Sequence, residues 1–304
     1  MSAESAALSS ERKKGTFLVL IGATLWGVSG NVAQYLFTEH GFNAEWLTVV
    51  RLLFSGLILL GLAYTRENNN IWGIWKSKED SIGIIIFAIF GTLSVQYTYL
   101  AAILHGNAAT ATVLQYLAPV LITCYLAIRL KRFPDRPVIV ALILALLGTF
   151  LLVTGGSIGK LSITGLALFW GLASAVALAF YTLQPGKLLA KWGAMIVVGW
   201  GMLVGGIVFS FIYPPWKFIG QWSLSSFFAV AFIIIFGTFI AFYFYLESVK
   251  YLEASKVSLL ASIEPLAAAF IAVIWFKIKF GLPEWLGTFC IIGTITILSW
   301  VKEK

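Results

Sequence analysis

The 304-residue sequence predicts an all-α integral membrane protein of about ten transmembrane helices, arranged as two inverted five-helix repeats. Three observations carry this expectation. Hydrophobic residues make up 60% of the chain and charged residues 11%, with a mean hydropathy of +0.93, whereas a soluble domain carries roughly 25% charge. Apolar stretches of the ~20 residues needed to cross ~30 Å of hydrocarbon recur along the whole chain. The chain also repeats itself. Phe90-Gly91-Thr92, Ala108 and Pro119 return as Phe236-Gly237-Thr238, Ala254 and Pro265 at one constant offset, and Trp26-Gly27 returns as Trp170-Gly171 at nearly the same one.

The spans follow in order. Residues 1–14 read as a cytoplasmic tail ending in the basic Arg12-Lys13-Lys14. The apolar run after it is longer than the ~7–15 residues of a signal core, so 16–37 is a first span. The second, 44–64, is apolar except for Arg51, and Ile71-Trp72-Gly73-Ile74-Trp75-Lys76 then reads as a short segment lying in the headgroups. The third, 81–103, carries the first Phe-Gly-Thr, the fourth, 108–128, carries Pro119, and the fifth is 137–155. The first repeat thus covers 15–155, and 156–161 is a Gly/Ser-containing linker. The second repeat, 162–302, has spans at 162–183 (Trp170-Gly171), 194–213, 224–246 (the second Phe-Gly-Thr), 255–276 (Glu264-Pro265) and 284–301. In the seventh span Gly201 and Gly205 form a small-xxx-small pair suited to close helix contact. Runs such as Ile84-Ile85-Ile86 and Ile233-Ile234-Ile235 do not alternate, which argues against barrel strands.

Charge sets the orientation. Of the 21 Lys and Arg residues, only Lys160, Lys217, Lys277 and Lys279 fall in outer loops and Arg51 in a span, if the N-terminus is inside. That bias places both termini in the cytoplasm. Lys277 and Lys279 run against it and are expected to snorkel from a helix end. With five spans per half, the second repeat enters the membrane from the opposite side, the arrangement of two bundles that rock about a central site. The net charge of +8 is a topology signal without a nucleic-acid-binding motif. Cys124 and Cys290 fall in predicted spans as packing residues. Trp46, Trp216, Trp222, Trp275 and Trp285 sit near span ends as a belt, while Trp26, Trp170 and Trp200 lie within spans.

Ionisable groups inside a bilayer cost about 2.5–3.5 kcal/mol each on insertion scales, so each needs a reason. Glu264 lies about ten residues into the ninth span, ~15 Å deep and near the midplane. Pro265 follows it, removing a backbone donor and freeing a carbonyl one turn back; Pro119 does the same in the first half. Two readings stay open for Glu264: a proton-titrating or cation-binding carboxylate facing a central cavity, or a structural acid satisfying freed backbone groups. Arg51, roughly 10 Å below the outer surface, either binds a substrate carboxylate or pairs structurally with Glu39, Glu45 or carbonyls. Asn31, Gln34, Gln96, Gln115 and Tyr99 fall in the outer part of their spans, and Tyr181, Gln184, Tyr243, Tyr245 and Glu247 in the inner part, as inversion predicts. Taken singly these are interhelical bonds or belt aromatics; together they suggest a cavity lined from both halves. His40 and His105 do not belong to a metal-binding set, and a phosphate-binding glycine loop is absent, so no cofactor is expected and energy must come from gradients.

Two halves of five spans, each with Trp-Gly in its first helix and Ala-x10-Pro in its fourth (Ala108 to Pro119, Ala254 to Pro265), resemble the drug/metabolite transporter superfamily with two EamA-type repeats. The resemblance covers nearly the whole chain. It implies alternating-access transport of small metabolites, amino acids, amines or related compounds, commonly as export across the cytoplasmic membrane. Such repeats often carry a Glu about a dozen residues after the proline, where this chain has Arg129, Lys131, Lys277 and Lys279, so Glu264 rests on its own physics.

The expected function is therefore a secondary transporter, not an enzyme, whose partners are the bilayer, a small-molecule solute and protons as candidate coupling ion. Its site would be formed by Glu264, Arg51, Gln115 and Gln96, edged by Trp26, Asn31, Tyr99, Tyr181 and Tyr243, with helix breaks at Pro119 and Pro265. A membrane enzyme acting on lipid or a lipid-linked substrate would need a polar catalytic set at one interface. A passive channel would show flux that does not saturate.

Overall fold

A computed structural model describes residues 3–66, 70–160, 164–276 and 281–300. Lys277, Lys279 and the outermost residues of the predicted linker and second repeat, 161–163 and 301–302, lie outside them. Every regular element among the described residues is helical. Helix α1 is Ala3–His40 and α2 Ala44–Arg66, followed by a 3-10 turn over Asn70–Lys76. Then come α3 (Lys78–Ile86), α4 (Ser94–His105), α5 (Ala108–Gln115), α6 (Ala118–Leu130) and α7 (Arg136–Thr154). The rest of the chain forms α8 (Gly165–Leu183), α9 (Gly186–Ser210), α10 (Leu224–Ile234), α11 (Ala241–Ser248), α12 (Ala254–Leu260), α13 (Ile263–Phe276) and α14 (Leu282–Trp300).

Seven helical stretches among the described residues are long and apolar enough to cross a bilayer, from Glu11–His40 to Leu224–Ser248, and Arg136–Leu152 and Leu282–Leu298 are shorter apolar helices. The chain is an all-helical, multi-pass membrane protein. Polar residues set the helix starts. Asn107 accepts from the Thr110 N–H at 2.7 Å to open α5, Thr164 from Ala167 at 3.1 Å to open α8, and Ser223 and Ser226 cap α10 reciprocally. At the other end, Gly155 with φ 58° closes α7. The Ile71 to Lys76 segment is the 3-10 turn, and Trp200 Nε1 donates to its Ile71 carbonyl at 2.8 Å, which gives Trp200 a structural partner.

Two kinds of irregularity recur in both halves. A π-helical turn joins α3 to α4 over Phe87–Leu93, and another joins α10 to α11 over Ile235–Ile240, each spanning the repeated Phe-Gly-Thr. Hydropathy does not foresee these wide turns, since one extra residue per turn leaves the composition unchanged. The Thr hydroxyls absorb the displaced backbone: Thr92 Oγ1 lies 2.9 and 2.7 Å from the Ala88 and Gly201 carbonyls, which share its one proton, and Thr238 donates to the Ile233 carbonyl at 2.8 Å. The second irregularity is a break. Residues 116–117 separate α5 from α6 and 261–262 separate α12 from α13, so each Ala-x10-Pro span is two half-helices, with Pro119 and Pro265 in the first turn of the second half-helix.

Packing crosses between the halves. Helix α1 lies on α11 and α13, and α8 correspondingly lies on α4 and α5; α2 runs beside α9, and α7 beside α14. The two Trp-Gly glycines make these crossings close. A Cβ on Gly27 would strike the Glu264 carbonyl and one on Gly171 the Leu114 side chain, so each opens space for the broken span of the opposite half. Helix α9 bends at Gly193, whose φ of 75° suits only glycine among common residues.

Candidate functional site

A central cavity of about 30 Å³ lies where the crossings meet, lined by Trp26, Ser29 and Gly30 from α1, Arg51 from α2, Val95, Gln96, Tyr99 and Leu100 from α4, Gln115 from α5, Leu178 from α8, Phe242 from α11 and Glu264 from α13. Six of the sequence-nominated residues are therefore brought together: Glu264, Arg51, Gln115, Gln96, Trp26 and Tyr99. Three others sit outside this lining. Asn31 donates to the Gly27 carbonyl at 3.1 Å, along its own helix, and Tyr181 donates to the Phe242 carbonyl at 3.2 Å from full burial. Tyr243 packs at the edge of the main apolar core. The space accommodates water-sized guests in this conformation.

The floor of the site is the second break. Glu264 is 3% exposed, and its Oε2 lies 3.4 Å from the Tyr116 hydroxyl. That hydroxyl also donates to the Ala261 carbonyl, the one Pro265 deprives of its usual helical partner. Tyr99 faces the same carboxyl and shares a 3.0 Å hydrogen bond with Thr112. Sequence alone does not single out Tyr116, because a tyrosine within a span is ordinarily a packing or interhelical residue. A signal existed: Tyr116 stands three residues before Pro119, as Ser262 does before Pro265, so the two breaks carry different side chains at the same place.

The opposite wall is cationic. Arg51 is 5% exposed; its Nε–H donates to Thr238 Oγ1 at 2.9 Å, and its guanidinium lies 5.8 Å from the centre of the Phe242 ring. No carboxylate lies within ion-pairing distance of it among the described residues. Glu45, one nominated structural partner, instead accepts from Asn43 at 3.1 Å and Tyr97 at 3.3 Å. The second repeat's π turn, through Thr238, thus holds the buried cation of the first.

Between these poles lie donors and acceptors without partners among the described residues. Both amide atoms of Gln96 and the indole Nε1 of Trp26 are buried and unpaired. Leaving such a group unsatisfied costs ~1–3 kcal/mol, a cost that a polar guest would remove. Gln115, by contrast, donates to Ser174 at 2.6 Å and ties α5 to α8. Aromatic faces complete the wall, with Trp26 against Phe242 at 4.8 Å and Tyr245 at 4.9 Å between ring centroids. No cluster of metal-ligating side chains occurs among the described residues.

Comparison with known proteins matches this architecture. The profile of the EamA-like transporter family fits the chain twice, over residues 13–154 and 165–300. The chain is 40% identical over 287 residues to an uncharacterized inner membrane transporter, YicL, of Salmonella typhimurium, covering 94% of this chain and 95% of that protein. It is 23% identical over 300 residues to the uncharacterized transporter YyaM of Bacillus subtilis, covering 93% and 90%. One solved crystal structure superposes with a TM-score of 0.77 at 16% identity, over 94% of this chain and 97% of that one.

Proposed function

The chain belongs to the EamA-like transporter family, and on that premise we propose that it is a secondary transporter exporting a small zwitterionic metabolite across the cytoplasmic membrane. In this reading ten spans form two inverted five-helix repeats, both termini are cytoplasmic, and rocking of the halves exposes the central cavity to each side in turn. The observation that carries the substrate class is the pairing, in one cavity, of a buried Arg51 with no carboxylate partner among the described residues and a buried Glu264. An amino acid or related compound meets both: its carboxylate accepts from Arg51 and the Trp26 indole, and its ammonium donates to Glu264 and the Gln96 carbonyl oxygen.

Glu264 is also suited to couple protons. The Tyr116 hydroxyl has one proton, and it goes to the Ala261 carbonyl. A protonated Glu264 can donate to that phenol oxygen, whereas an ionised one competes for the phenol proton and loosens the link between the two breaks. Binding a cation or a proton at Glu264 thus bears on the contact that holds α5 and α6 to α12 and α13.

The experiment is a thermal-shift screen of detergent-purified protein against amino acids, amines, sugars and nucleosides. Amino acids are expected to stabilise in a concentration-dependent way, with the shift lost in Arg51→Gln and Glu264→Gln. Stabilisation by sugars or nucleosides alone would overturn the substrate class. Flux in proteoliposomes whose pH dependence survives Glu264→Gln would overturn the coupling role.

A further inference from the structure

A second, larger cavity of about 270 Å³ opens at the end of the molecule that carries the α6–α7 loop, with Arg132 and Asp135 at its mouth and Thr123, Ser255 and Lys256 in its wall. It lies between α6 and α12, the inner half-helix of each broken span under the orientation proposed above. From it a polar track leads toward Glu264. Helix α12 carries Ser255 and Ser258, and Ser262 follows at the break with the same 3–4 residue spacing; the three are 7%, 3% and 0% exposed. Helix α6 packs against α12 and supplies Thr123, 6% exposed.

Two of these hydroxyls have no partner among the described residues. Thr123 Oγ1, in the cavity wall, and Ser262 Oγ, two residues from Glu264, are both buried and unbonded. Serine and threonine inside a helix usually bond back to their own helix, as Ser258 does to the Ser255 carbonyl at 2.8 Å. Two that do not, Thr123 on α6 and Ser262 at the break after α12, present donors and acceptors to a guest that can both give and take a hydrogen bond. The track ends at Tyr116, whose hydroxyl bridges Ala261 and Glu264.

We propose that Thr123, Ser255 and Ser262 line a water-filled access path from this cavity to Glu264, closed at its central end by Tyr116, which delivers and removes protons on that face. Water fits where the solute does not, because each unpaired hydroxyl needs one small donor–acceptor and buried waters typically take two to four such bonds. The groups facing Glu264 are the phenols Tyr99, Tyr116 and Tyr245, with Arg51 across the central cavity. The path meets the carboxyl from below this aromatic ring, so proton and solute reach it from different directions. The proton role rests on the reading of Glu264 as the coupling carboxyl.

The test uses the full chain with Cys124→Ala and Cys290→Ala, reconstituted in vesicles, and Ag⁺, a cation small enough to follow water and reactive with thiols. Single Thr123→Cys, Ser258→Cys and Ser262→Cys variants are exposed to Ag⁺ from one face, then denatured and labelled with a fluorescent maleimide. The face from which Ag⁺ blocks Thr123→Cys defines the cavity side. Ag⁺ from that face is expected to abolish labelling of Ser262→Cys as well, and from the other face to leave it. Protection of Ser262→Cys from the opposite face only, or from neither, overturns the path; Ser258→Cys on α12 gives the reading where Ser262→Cys is not recovered folded. The assay contains no solute, so it fails or succeeds independently of the flux measurements on Glu264→Gln.

Discussion

Individual side chains carry unequal weight here, and the two Trp-Gly glycines show how. A methyl group on Gly27 meets the backbone of Glu264 and Ala268, which cannot rotate away, while one on Gly171 meets the Leu114 side chain, which can. Gly27→Ala is therefore expected to destabilise by about 1–3 kcal/mol, the range for overpacking, and to displace Glu264 so that solute binding weakens. Gly171→Ala should cost less; thermal unfolding in detergent compares them, and equal effects would contradict the geometry. Thr238→Val keeps the shape of the side chain but removes the acceptor of the Arg51 Nε–H. A loss of ~1.5–3 kcal/mol, as for bonds to charged groups, is expected from denaturation curves. Arg51 and Glu264 were legible in the sequence because a charge in a span is costly. Gln96 stood out only through its neighbours, and Thr238 only as a member of the repeated Phe-Gly-Thr, since a threonine in a helix looks alike whether or not it holds a cation.

Elements repeat more faithfully than residues do. The π turns and the helix breaks fall at matching places in both halves, although the side chains around them differ. At the breaks, Tyr116 and Ala118 in the first half stand where Ser262 and Glu264 stand in the second. One break supplies a long donor and the other a carboxyl and the Ala261 carbonyl, so the asymmetry makes the two interlock. Tyr116→Phe removes one of two donors to the Ala261 carbonyl, which also accepts from the Glu264 N–H at 2.9 Å, and is expected to destabilise by ~0.5–1.5 kcal/mol, read as a lowered unfolding temperature in detergent. A stability equal to the parent would show that water or a neighbour replaces the phenol. Prolines made the breaks legible to within a turn. The π turns were not, because their cause is a local change of hydrogen-bond register at Phe-Gly-Thr, and the repeated motif is the only trace of it in the chain.

For the whole molecule, the crossed packing of α1 on α11 and α13 and of α8 on α4 and α5 means that neither half completes its own core. Such an exchange relates the halves whether they run parallel or antiparallel through the bilayer, so sidedness must be decided by charge and by the number of spans. An odd number per repeat sends equivalent loops to opposite faces, and the Lys/Arg bias chooses which face is inner. His105, at the end of α4, and Lys250, just beyond α11, close the corresponding helix in the two halves and are both exposed. In a Cys124→Ala, Cys290→Ala background, His105→Cys is expected to react with an impermeant maleimide only from the outer face and Lys250→Cys only from the inner one. Labelling of both from one face would make the repeats parallel. Alternating access by rocking of inverted halves would then lose its basis, because a parallel pair offers no symmetry that exchanges the inward-facing arrangement for the outward-facing one.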